Sequence, residues 1–320
     1  MISVQFSRAK RNRVTRSTAL LLLLTGVCYW QQRSPRVNNV QAKRTRPTVT
    51  FARIGEEGRL GNQLFQIAAT IGLAKKHKYD WDFFPNLQKS SAGQLFQISG
   101  KLVPGKDHID MHYSEQSELY YDVILPKGKH TSIVSLTGYF QDYRYFMAYL
   151  DALDNYLKLP KPMINRIQKR VPEVNSPFTV AMHVRRGDYV KLHGLYNLLD
   201  EGYYTRALSL VKGRIDAVIV VSDDRAWCKK YLAPKIPHKV VYSPFGDELS
   251  DFLLLHLSKT LIISSSSFSW WAAFLKHVRL RSLSDTARIF APDAWYNVSG
   301  RFAYLNRDSF LPPAWVRVSA

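Results

Sequence analysis

FTVAMHV, residues 178–184, reads as a buried strand, and the alternation that it opens decides the fold. EGYYTRALSLV (201–211) has helical spacing, AVIVVS (217–222) is again a strand, and DRAWCKKYL (224–232) a helix. KVVYS (239–243), ELSDFLLLHLS (248–258), TLIIS (260–264) and FSWWAAFLKH (268–277) continue the pattern. Parallel strands need crossover helices, so strands alternating with helices predict a parallel, doubly wound sheet. Such sheets take ligands at the C-terminal ends of their strands.

Upstream, VPEVNSP (171–177) carries two prolines among polar residues and reads as a linker. Residues 80–170 are less regular, with a helical segment expected over 143–157. Earlier still, TVTFARI (48–54) reads as a strand and GEEGRLGNQ (55–63) as a glycine-punctuated turn. Leu64, Ile67, Ala68, Ile71 and Ala74 then recur at helical spacing up to the basic end Lys75–Lys78. Strand, turn and helix make half of a βαβ unit. The expectation is therefore an α/β chain with two Rossmann-like lobes, 48–174 and 175–320, and a cleft between them.

The formal charge of +20 over 320 residues invites a nucleic-acid reading, but its distribution argues against one. Residues 1–55 hold eleven Lys and Arg and no Asp or Glu, which leaves +9 for the remainder. That excess suits a small anionic ligand. The N-terminal segment has its own plan: a basic tail (1–16) with a cluster from Arg8 to Arg16, the uncharged run STALLLLLTGVCYW (17–30), and a polar stem (31–47). It reads as a signal anchor. A cleaved signal peptide is the alternative, but no small-x-small site follows Leu24, and Tyr29 and Trp30 suit a membrane interface. The tighter basic cluster precedes the apolar run, which predicts a cytosolic N-terminus and a lumenal body. Of the two cysteines, Cys28 lies in that run, so Cys228 has no intramolecular partner in the body. Asn297-Val298-Ser299 is a glycosylation sequon that agrees with a lumenal address.

Three motifs carry candidate chemistry. HVRRGDY (183–189) places His183, Arg185, Arg186 and Asp188 at or just past a strand end, where two planar guanidinium forks suit a diphosphate and Gly187 admits close backbone approach. The plain alternative pairs one arginine with Asp188 and leaves the other solvated. In SSSSFSWWAAF (264–274), Ser264, Ser265, Ser266, Ser267, Phe268 and Ser269 join a strand to a helix start, whose free N–H groups and dipole favour an anion. Capping by Ser267 or Ser269 is the alternative there, and Trp270 and Trp271 read as packing residues. GRLGNQLFQ (58–66) sets Gly58, Arg59, Gly61, Asn62 and Gln63 at a strand-to-helix turn, with amides able to bond a sugar or simply to cap the helix. It has neither a Walker lysine nor GxGxxG spacing. In VVSDDRAW (220–227), Ser222, Asp223 and Asp224 also come directly after a strand; a carboxylate there can accept from a ribose or guanine, or serve as an ordinary first-turn acid. Asp80-Trp81-Asp82 is a D-x-D that would matter for a divalent metal, but it lies after a helix rather than an apolar strand, so no metal is expected.

Taken in order, GRLGNQLFQ, HVRRGDY and SSSSFSWWAAF, with FLPPAWV (310–316) at the end, resemble the α-1,2-fucosyltransferase family of glycosyltransferases. The resemblance covers residue 53 to the C-terminus. It implies a GT-B-like fold, GDP-fucose as donor, a glycan acceptor ending in β-galactose, and inversion at the anomeric carbon. It also implies no cofactor or metal and a single-pass type II place in the Golgi membrane. By the same resemblance His183, Arg185, Arg186 and the serine loop bind the donor, with Arg185 catalytic on its diphosphate. GRLGNQ lines the opposite side. An inverting transfer also needs a base, for which Asp188 and Glu57 are candidates, Asp188 equally as an orienter of arginine. The scarcity of cysteine and the charged GEEG before the glycine loop depart from familiar members and leave the acceptor open. The alternatives are another linkage, a protein acceptor, or an inactive sugar-binding protein.

Overall fold

The structure is a computed structural model that describes residues 44–127, 129–280, 288–306 and 311–320. The basic tail, the apolar run 17–30 and the polar stretch up to residue 43 lie outside the described residues. Among the described residues no helix is long and apolar enough to cross a membrane.

Residues 44–320 form one compact unit built on two sheets. The first has β1 (Thr48–Thr50), β2 (Asp80–Trp81), β3 (Met111–Ser114) and β4 (Ile133–Thr137), in the order β2-β1-β4-β3 with every pairing parallel. The second has β5 (Thr179–Val184), β6 (Ala217–Ser222), β7 (Val240–Tyr242), β8 (Thr260–Ile262), β9 (Arg288–Pro292) and β10 (Val316–Val318). Its order is β10-β9-β8-β5-β6-β7, again all parallel. Helix α1 (Leu60–Lys76) connects β1 to β2, and α2 (Ser91–Phe96) lies before β3. After β4 come α3 (Leu150–Tyr156) and α4 (Lys161–Arg170), then α5 (Glu201–Ser209), α6 (Arg225–Trp227), α7 (Glu248–Leu257) and α8 (Ser267–Leu280) between the strands of the second sheet.

The second sheet's elements fall where the alternation put them, apart from β9 and β10, which the sequence did not announce. The first sheet was harder to read because β2 has two residues and β3 alternates between half-buried and exposed positions. The helix expected over 143–157 is broken: 3₁₀ turns at Tyr143–Tyr145 and Met147–Tyr149 precede α3. Asp142 caps the first turn by accepting from Arg144 N at 2.8 Å, and Phe146, at φ −134°, leaves helical geometry.

The two sheets share one apolar core, to which β1, β4, β5 and β8 all contribute. Its seam is aromatic. Phe65 of α1 lies 4.6 Å from the Trp270 ring and 5.2 Å from that of Trp271, and Trp271 stacks on Phe146 at 5.5 Å. Trp270 and Trp271 are fully buried, so both are packing residues of the α1–α8 contact. Truncating such a tryptophan to alanine costs about 3–5 kcal/mol. That contact fixes how the starts of α1 and α8 meet.

Candidate active site

In the second sheet the chain runs outward from β5 through β6 to β7 on one side and from β8 through β9 to β10 on the other. The order reverses between β5 and β8, so the loops leaving them part in opposite directions and open a crevice at the strand ends. The loop after β5 carries HVRRGDY, and the loop after β8 carries the four serines. A cleft of about 1160 Å³ opens there, closed on its far side by residues of the first sheet's half.

His183, the next-to-last residue of β5, is largely buried yet lines the cleft, its Nδ1 2.7 Å from Ser264 Oγ. Burial first, and the Arg185 charge second, push its pKa down to about 3, so the imidazole is neutral and ties the β5 loop to the β8 loop. Tyr189 adds a second tie by donating to the Ser265 carbonyl at 2.8 Å. Ser264, Ser265 and Ser269 therefore lie beneath the cleft, contrary to expectation. Ser269 Oγ reaches back to the carbonyls of Ser264 and Ser266 at 3.4 and 3.2 Å. Ser266, Ser267 and Phe268 line the cleft as expected.

The adjacent arginines have different fates. Arg185 lines the cleft, its Nη2 2.5 Å from Asp188 Oδ1 and its Nη1 2.8 Å from Asp223 Oδ2. Arg186 does not reach the cleft. Its guanidinium lies 4.1 Å over the Trp227 ring, and its Nε sits 3.4 Å from Asp224 Oδ2 without hydrogen-bond geometry. Successive residues leaving a strand diverge, so only one fork of an RR pair can face the crevice. Asp223 also accepts from Arg186 N at 2.8 Å, and Asp224 caps α6 by accepting from Trp227 N at 3.0 Å. Asp223 lines the cleft and braces the arginine loop.

GRLGNQ meets the serine loop directly. A Cβ on Gly61 would fall 2.4 to 2.6 Å from Ser267 C, Phe268 N and Ser267 Oγ, so only glycine lets α1 start against α8. Asn62 Oδ1 accepts from both Ser267 Oγ and Gln141 Nε2 at 2.8 Å. Gly58 and Arg59 also line the cleft, and Arg59 is exposed with no ion pair among the described residues. Two helix N-termini, Arg59 and Arg185 thus bring partial and full positive charge to one spot. Gln63, expected in the cleft, is buried: its Nε2 donates to Gly58 O at 3.2 Å and its Oε1 accepts from Ala92 N at 3.0 Å.

Glu57 pairs with Arg53 at 3.2 Å and is not on the cleft wall. Asp82 is spent on the backbone, accepting from Phe83 N at 2.8 Å and Lys101 N at 3.1 Å, and neither it nor Asp80 lines the cleft. Among the described residues no cluster of three or more His, Cys, Asp or Glu is arranged for a metal. Asn297 donates its amide to the His193 carbonyl at 2.6 Å. Cys228 is buried, and burial raises its thiol pKa.

Sequence reasoning missed the rest of the lining. Phe245, Asp247 and Asp251 come after β7, where the strand-end rule applied to KVVYS would have found them. Tyr189, Tyr196 and Tyr296 form a stack with centroids 4.4 and 5.9 Å apart, and Glu115, Glu118 and Tyr139 come from around β3 and β4. No local pattern marks those.

A family model described as Glycosyl transferase family 11 matches residues 14–297. The chain is 32% identical over 215 residues to an α-1,2-colitosyltransferase of Escherichia coli, covering 63% of this chain and 68% of that one. It is 29% identical over 291 residues to the galactoside 2-α-L-fucosyltransferase SEC1 of Bos taurus, covering 83% and 73%. Among solved structures, the NodZ α-1,6-fucosyltransferase soaked with GDP-fucose matches at TM-score 0.45 and 14% identity over 72% of this chain and 92% of that one, too distant to carry an inference.

Proposed function

The chain belongs to glycosyl transferase family 11, and on that premise we propose that its cleft transfers fucose from GDP-fucose to the 2-hydroxyl of a terminal β-galactose, with inversion. The observation that carries this reading is Arg185, presented at the strand-order reversal beside two helix starts. A departing GDP needs its growing negative charge neutralised. Arg185, Arg59 and the N–H groups opening α1 and α8 supply that without a metal ion. Asp188, about half exposed, and Asp223 hold the two nitrogens of the Arg185 fork. Asp188 is then an orienter of arginine. Because Asp223 is held by Arg185 and Asp224 caps α6, the carboxylate for guanine's N–H groups passes to Asp251, of which Ser243 Oγ uses only Oδ1, with Phe245 offering a ring face. Two parallel sheets flanking one cleft suit a GT-B-like arrangement. The name of the Escherichia coli relative favours a second donor reading, with activated colitose in place of fucose.

The test is direct. The detergent-solubilised full-length chain is incubated with each nucleotide sugar, a panel of β-galactosides and folded peptide domains, and the product linkage is determined. We expect an α-1,2-fucosylated galactoside and undiminished transfer in EDTA. Transfer only to peptides, or no transfer, sinks the proposal, and rescue of an EDTA-silenced enzyme by manganese would bring a metal back. The basic cluster before the apolar run 17–30 supports a type II Golgi membrane protein with a lumenal body. Protease digestion of sealed microsomes should spare the body; its cleavage would reverse the orientation.

A further inference from the structure

An inverting transfer requires a carboxylate or similar base facing the acceptor, and most acids lining the cleft are committed or, like Glu248 at the start of α7, belong to the wall of the six-stranded sheet. Asp188 and Asp223 pair with Arg185. Asp247 caps α7 by accepting from Ser250 N at 2.8 Å, and Asp251 accepts from Ser243 Oγ. Asp142 clamps Arg144, its Oδ2 2.6 Å from Nη2. Glu118 is exposed and accepts from Tyr304 OH at 3.2 Å.

Glu115 differs from all of these. It comes directly after β3, and its N–H donates to Thr137 O at 2.8 Å, prolonging the parallel ladder with β4. The chain beyond β4 then curls over it: Gly138 has φ +135°, and a Cβ there would lie 2.5 Å from Glu115 Cβ. The curl aims two backbone donors at the carboxylate, Tyr139 N at 2.7 Å to Oε2 and Phe140 N at 2.9 Å to Oε1. Each oxygen keeps a second lone pair. No lysine or arginine pairs with Glu115 among the described residues, yet the side chain lines the cleft. Its titratable neighbours are Glu118, Tyr113, Tyr145 and Tyr296. Tyr296 stacks on Tyr196, Tyr196 on Tyr189, and Arg185 lies 5.4 Å over the Tyr189 ring. Glu115 and Arg185 thus stand at opposite ends of one tyrosine stack.

Resting on the transfer reading above, we infer that Glu115 is the catalytic base that takes the proton of the acceptor hydroxyl. The hydroxyl oxygen forms its bond to the anomeric carbon as the bond from that carbon to the β-phosphate oxygen breaks. The electron pair of the broken bond leaves on GDP, and the proton moves to Glu115, which later returns it to solvent. Burial raises the Glu115 pKa, and the two backbone bonds offset this only in part. A base must be ionised, so kcat falls as pH drops through a pKa raised above the ordinary value of a glutamate.

The experiment compares wild type, Glu115→Gln and Glu115→Asp for fucosyl transfer against pH, for GDP affinity, and for donor hydrolysis without acceptor. Glu115→Gln should lower kcat for transfer by at least ~100-fold, donor hydrolysis falling with it because attacking water loses the same base, and leave GDP affinity within about twofold of wild type. A residue that only braces the Tyr139 turn would lower the melting temperature and leave the acid limb where it was. Transfer by Glu115→Gln within tenfold of wild type overturns the assignment. If that variant loses GDP binding too, Glu115→Asp decides: an acid limb displaced from the wild-type position supports the role, and an unmoved one ends it. A wild-type chain that transfers no fucose at all would instead defeat the underlying reading.

Discussion

On the wall formed by the six-stranded sheet, the groups facing the cleft come from short runs at neighbouring strand ends, and the charges of Arg185, Asp188 and Asp223 are paired within one ion cluster. The opposite wall lends Arg59, from the short run Gly58 to Asn62, to the diphosphate end and is otherwise assembled from Glu115, Tyr139 and Gln141, carried by the segments after β3 and β4; Arg59 and Glu115 stand without an ion-pair partner among the described residues. The contrast reflects the different task of each wall. A diphosphate carries fixed charge and needs donors held rigid before it arrives, which strand ends and paired guanidinium forks provide. An acceptor sugar is neutral and is gripped by ring faces and single hydrogen bonds, for which no compact motif is needed.

The largest expected effect breaks the first wall. Arg185→Ala should reduce kcat for transfer by ~10²–10³, whereas Arg186→Ala, which removes a guanidinium stacked on Trp227 outside the cleft, should cost less than tenfold in steady-state assays. Equal losses would mean that the two arginines are not divided as their contacts suggest. Next comes the joint between the walls. Gly61→Ala drives a methyl group into the Ser267 and Phe268 backbone, and thermal denaturation should show a loss of ~1–3 kcal/mol together with weaker GDP binding. An unchanged melting curve would show that the helix starts are not in close contact. Smallest is the effect at the tyrosine stack that runs from Arg185 toward the second wall: Tyr196→Ala should raise the acceptor KM by about 2–10-fold, the range of one lost aromatic contact, and leave GDP affinity alone. Weakened GDP binding in that variant would place the tyrosine stack on the donor side.

Legibility differed between the same two walls. The motifs at the ends of β5 and β8 could be read because apolar strands announce themselves and ligand sites lie just beyond them. Within those motifs the facing of individual residues could not be read. Arg186, Ser264, Ser265 and Ser269, and Gln63 of the glycine run after β1, were expected in the cleft and turn elsewhere, since a side chain's direction there depends on the neighbours it packs against. Glu115 went unnoticed because β3, half-buried and short, has too weak a period to mark its own end.

By itself, then, the sequence determined the parallel alternation, the order of the three motifs and the chemistry that they favour, all consequences of hydrophobic period and local residue type. Only the tertiary structure decided that Gly61 seats α1 against α8, that Arg185 alone of its pair faces the cleft, and that Glu115 meets it from the far side. Those are contacts between segments distant along the chain, set by the aromatic seam of Phe65, Phe146, Trp270 and Trp271, and no local pattern encodes them.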